Sequence, residues 1–123
     1  MHPVAIVTAL VAALVHVLFF VMESFWFDRP PIAARFGLET PEQVAAVRPM
    51  AFNQGFYNLF LAIGIVVGLV LVARGQRDAG RAIVLFACAS MAGAGIVLFA
   101  TSRRFARASL LQAGPPLIAL IAG

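Results

Sequence analysis

Two titratable side chains, His16 and Glu23, stand in an otherwise apolar run from Val4 to Phe27, where the only other polar residues are Thr8 and Ser24. Seven residues of helix bring them to within about 20° of one line, with roughly 10 Å between them along the axis. A carboxyl and an imidazole can each hold or release a proton, and an ionisable group inside a membrane span is by default a candidate for function. A second group follows in Asn53, Gln54, Tyr57 and Asn58, four polar residues within six positions. Asn53 with Tyr57 and Gln54 with Asn58 have i, i+4 spacing, which gives two adjacent polar stripes on one helix. Amides and a phenol both donate and accept hydrogen bonds, so such stripes suit the polar end of a small molecule. Gln112 adds one more amide, near the start of the last apolar stretch.

The elements that must position these groups are membrane spans. Hydrophobic residues make up 63% of the chain, charged residues 11%, and the mean hydropathy is +0.99, a composition foreign to soluble domains. About 20 apolar residues cross a bilayer as helix. The apolar stretches at about 4–27, 50–73, 79–101 and 105–122 predict four spans, and the 123 residues read as a single transmembrane domain. The first stretch has neither a basic leader nor a small-residue cleavage site, so it reads as a retained span. The predicted fold class is an all-α integral membrane protein, an antiparallel bundle of four helices.

Charge sets the orientation. The net charge of +4 comes from nine arginines that all lie in or beside the connections, so it reads as a topological signal rather than a nucleic-acid footprint. Arg29, Arg35 and Arg48 in the first connection and Arg103, Arg104 and Arg107 in the third outnumber Arg74, Arg77 and Arg81 in the second by six to three. That excess places the first and third connections in the cytoplasm and both termini outside.

The first connection, Asp28 to Pro49, is the long one. Arg29-Pro30-Pro31 ends the first helix, and Thr40-Pro41-Glu42-Gln43 has the pattern of a capping box with Thr40 as N-cap and Pro41 at N1. A short interfacial helix from Pro41 towards Val47 is expected there. Small residues mark where helices approach. Gly64 and Gly68 form a G-x-x-x-G in the second span, and Ala89, Gly93, Ala94 and Gly95 give the third a similar surface. Pro115 and Pro116 should kink or loosen the fourth span.

With antiparallel neighbours, Glu23 lies level with Asn53–Asn58, and Gln112 opens the fourth span at the same end. This arrangement predicts a half-depth polar pocket of Glu23, Asn53, Gln54, Tyr57, Asn58 and Gln112, with His16 two turns deeper and Phe19, Phe20, Trp26 and Phe27 as its apolar wall. One reading is a site for a small amphipathic or lipid-like molecule. A second makes Glu23 and His16 the catalytic acid and base of an isomerase or cyclase acting on an isoprenoid-like lipid. A third is proton-coupled export. The fourth is structural: the amides bond across helices and Glu23 pairs with Arg29, Arg35 or Arg48. No cofactor is implied. A metal is not expected either, since His2 belongs to the opposite face from Glu23 and no paired His or Cys spacing exists. Cys88 lies alone in mid-span, and membrane lipid and a second copy of the chain are the expected partners.

The residues Met22-Glu23-Ser24-Phe25, Arg35-Phe36-Gly37-Leu38, Asn53-Gln54-Gly55-Phe56-Tyr57-Asn58 with Phe60-Leu61-Ala62, and Gln112 before Pro116-Leu117 carry a resemblance over nearly the whole chain. In them the chain resembles a family of small bacterial four-helix membrane proteins catalogued as a domain of unknown function. The Asn-Gln-Gly-x-Tyr-Asn element is the most specific part, and the pair Pro115-Pro116 departs from the single proline expected. The resemblance implies the four-helix architecture and a bacterial inner-membrane setting, and carries no activity.

Overall fold

Proline and glycine mark several helix ends of this chain, and three prolines lie inside helices instead. In the computed structural model, which describes residues 1–123, there are helices at Pro3–Ser24 (α1), Pro30–Arg35 (α2), Pro41–Ala73 (α3), Arg77–Thr101 (α4) and Ala106–Ala122 (α5), with one 3-10 turn at Arg103–Phe105 before α5. The protein is all-helical, and four of its helical segments are long and apolar enough to cross a membrane. Many large apolar side chains, such as Leu14, Phe86 and Ile121, are exposed on these helices, as lipid-facing surfaces must be.

The capping box forms as its pattern predicts. The Gln43 N–H donates to Thr40 Oγ1 at 3.2 Å, and Gln43 Oε1 accepts from the Thr40 N–H at 3.3 Å and the Glu39 N–H at 2.7 Å. The helix it starts does not stop near Val47. It runs on through Pro49 to Ala73, so the expected short helix and the second span are one helix of 33 residues. Proline removes the bond to the carbonyl of Ala45, but Ala45 and Pro49 are both exposed, where solvent or headgroups satisfy that oxygen.

The first connection contains a helix that the sequence reading did not foresee. Pro30 and Pro31 end nothing on their own; they occupy the first two positions of α2. Seven residues on, Gly37 takes φ 76° and closes a Schellman motif, with the Leu38 N–H on the Ala33 carbonyl and the Gly37 N–H on the Ala34 carbonyl. Gly75, at φ 90°, ends α3 in the same way through Gln76 to Leu71 and Gly75 to Val72. α5 continues through Pro115 and Pro116 without interruption, and Pro116 is fully buried.

The chain divides into two compact units, and the division falls inside α1 and α3. The first unit, Met1–Val15 with Leu61–Gly123, has a core to which four helices contribute: Ala9, Ala12 and Ala13 from α1, Ala62 and Ile65 from α3, Val84, Ala87, Cys88 and Met91 from α4, and Ala119 from α5. Small residues let these helices meet closely. A Cβ on Gly80 would collide with the Gly68 carbonyl and with Val72, and one on Gly95 would lie 2.7 Å from the Ala113 Cβ. Gly64 and Gly93 meet nothing within 4 Å, so only Gly68 of the expected G-x-x-x-G is a close-approach site. The Arg81 guanidinium donates twice to the Gly123 carbonyl, at 3.0 and 2.7 Å, which ties the start of α4 to the end of α5.

The second unit, His16–Phe60, contains the end of α1, α2 and the first half of α3. Its contacts are aromatic and polar. Phe20 meets Phe25 and Phe56 edge to face at 5.2 and 5.0 Å, Phe52 lies 5.2 Å from Phe56, and Phe27 packs on Phe36.

Candidate functional site

α1 and α3 come together in the second unit at Gly55. A Cβ there would strike the Ser24 hydroxyl and press on the Phe20 carbonyl, so the glycine is what lets the two backbones approach. The Ser24 hydroxyl donates to the Phe52 carbonyl at 2.9 Å, fastening the last turn of α1 to α3. One turn beyond Gly55, the Asn58 amide donates to Glu23 Oε1 at 2.6 Å. Asn58 is only 5% exposed, whereas Glu23 is half-buried. A buried amide bonded to a half-buried carboxylate is the polar centre of this unit.

The buried positions of α3 explain why Asn58 alone of its group reaches inward. Ala51, Gly55, Asn58, Ala62, Ile65 and Gly68 are buried, a 4-3-4-3-3 spacing that makes one continuous seam along the helix. Asn53, Gln54 and Tyr57 fall off that seam and are exposed, Tyr57 to 59%. They form a polar flank beside the Glu23–Asn58 pair, open to whatever surrounds the helix. Phe20 and Phe56 lie in edge-to-face contact on the same two helices. Trp26 is half-buried under the Arg29 guanidinium, 4.6 Å from its ring.

Two further nominated residues are His16 and Gln112. His16 is fully buried two turns before Glu23, with Phe19 edge-on to its ring at 5.3 Å. Gln112 is a half-buried residue of α5 and belongs to the first unit. Ser24 and Gly55, which hold the site together, were not singled out from sequence. Their signal was present: a hydroxyl next to the carboxylate, and a glycine inside a run of polar residues, where only close backbone approach gives it a purpose.

Glu23 has no cationic partner. The one ion pair in the protein joins Arg48 to Asp28 at 3.0 Å, and Arg29 is stacked on Trp26. A carboxylate has about four acceptor sites, and a single amide donor occupies one of them. Glu23 can therefore receive further donors such as a hydroxyl or an ammonium group.

Comparison with known proteins gives a family and no activity. No curated protein and no solved structure matches the chain. The model of the family described as "Protein of unknown function (DUF1304)" matches residues 10–123, and the chain belongs to that family.

Proposed function

We propose that this protein binds a small amphipathic or lipid-like molecule at the Glu23–Asn58 pair, as a multi-pass protein of the bacterial inner membrane with both termini outside. The observation that carries the reading is the half-buried Glu23 carboxylate, held by one amide donor at 2.6 Å and by no arginine. A charge left at the end of an apolar span without a counter-ion is costly unless something donates to it. The exposed amides of Asn53 and Gln54 and the phenol of Tyr57 extend the polar surface on which a headgroup rests. The rings of Phe20 and Phe56 supply an apolar surface next to it. The ligand class is a molecule with a hydrogen-bond donor at one end and a hydrocarbon body, its polar end towards the arginine-rich cytoplasmic side.

The test is mass spectrometry of the small molecules that copurify with the wild type and with Glu23→Gln. Glu23→Gln keeps the size and the bond-accepting oxygen facing Asn58 but removes the charge, so the folded protein is expected to lose about tenfold or more of a stoichiometric copurifying molecule. Equal retention by both proteins would overturn the reading.

A further inference from the structure

Away from the Glu23–Asn58 pair, the second unit contains a partly open cavity of about 630 Å³ between α2 and the first turns of α3. Its volume lies within the range of small-molecule sites, and none of the residues assigned to the first site lines it. The walls are apolar, with Ala33, Leu38 and Val44 among them, and the charged lining residues are Asp28, Glu39 and Arg48.

Three features define what fits. The first is depth. Arg48 lies just before the apolar stretch at about 50–73, so the cavity stands at the end of a candidate span, where headgroups are met. The second is charge. Two carboxylates and one guanidinium line the cavity, so the lining carries both signs and one surplus negative charge. Arg48 and Asp28 are paired at 3.0 Å through single atoms, and both side chains are about half exposed, so each keeps free donor or acceptor sites. The third is that no aromatic side chain lines the cavity, which removes the cage that quaternary ammonium groups prefer.

We propose that this cavity seats the headgroup of a phospholipid bearing a primary ammonium beside its phosphate, with the ammonium on Asp28 and Glu39 and the phosphate on Arg48. A primary ammonium offers three N–H donors to the two carboxylates, which a choline group cannot do. An anionic headgroup without the ammonium meets the surplus negative charge. The acyl chains leave along the apolar wall towards the bilayer. The site is independent of the Glu23–Asn58 reading and survives its failure.

Native mass spectrometry of the full chain in detergent, titrated with phosphatidylethanolamine, phosphatidylcholine or phosphatidylglycerol of matched chains, tests this. Phosphatidylethanolamine is expected to be retained about fivefold over the other two, the scale of one exposed charge pair. Glu39→Gln should bring it down to the phosphatidylcholine level, and Arg48→Gln should weaken retention of all three lipids by removing the partner of their common phosphate. Ala45→Phe, at an exposed lining position where folding is not at stake, should abolish the preference by filling the space. Glu23→Gln should leave it unchanged. Equal binding of the three lipids, preference for phosphatidylglycerol, or a preference that persists in Ala45→Phe would overturn the proposal. Undiminished binding of the three lipids by Arg48→Gln would also overturn it, since the phosphate would then have no partner in the cavity.

Discussion

The two units of this protein hold their helices together by different means. In the unit formed by Met1–Val15 and Leu61–Gly123, contact in the core is by shape, with alanines and glycines bringing backbones together around Val84, Cys88 and Met91, and the Arg81 bond to Gly123 lies outside that core. In His16–Phe60, contact at Gly55 is supplemented by bonds that only certain side chains can make, from Ser24 to Phe52 and from Asn58 to Glu23. Where lipid surrounds the helices, apolar surfaces gain nothing by meeting each other except packing, so close fit is the general means of association. Polar bonds are an addition, and in the second unit they fix which faces of α1 and α3 meet.

The comparison can be broken most severely in the first unit. Gly80→Leu is expected to destabilise the fold by about 3 kcal/mol or more, because the obstacle is the backbone of α3 rather than a movable side chain. Unfolding in mixed micelles measures this, and a loss below about 1 kcal/mol would mean that α3 and α4 are not packed through Gly68 and Gly80. In the second unit, Asn58→Leu should cost about 2 kcal/mol, since it removes a bond to a charged group and leaves Glu23 without its donor. A double-mutant cycle with Glu23→Gln sharpens the point, because coupling near zero would reduce the pair to coincidence.

Smaller effects separate seam from surface. Gly64→Ala and Gly93→Ala meet open space and should stabilise by about 0.5–1 kcal/mol through helix propensity, opposite in sign to Gly80→Leu. Destabilisation would show that another surface covers them. Smallest of all, Asp28→Asn should change stability by about 0.5 kcal/mol at low salt and by less as salt is raised, because the Arg48 bridge is exposed.

Composition and apolar run length made the spans legible, since the bilayer sets both. The short α2 was not legible because Pro30-Pro31 was read only as a stop signal, although proline at N1 followed by glycine past the end also writes a helix. Continuation through Pro49 escaped for a related reason: the penalty for proline depends on whether the freed carbonyl is exposed, which sequence does not show. At the site, i, i+4 spacing pairs Asn53 with Tyr57 and Gln54 with Asn58, but it does not show that Asn58 turns inward while its stripe-mate Gln54 stays exposed. The answer lay in Ala51, Gly55, Ala62 and Ile65, whose spacing selects Asn58 and leaves the other three outside.

The unbroken course of α3 makes the protein responsive to the thickness of its bilayer. At 33 residues it is about 50 Å long, against a hydrocarbon core of about 30 Å. A break at Pro49 would have let the segment before it lie flat and absorb any mismatch locally. Without one, a thinner or thicker membrane is met by tilting the whole rod or by sliding it along the normal, and either motion changes the depth of Asn53, Gln54 and Tyr57. Membrane composition thereby becomes a variable that sets how wet this polar flank is.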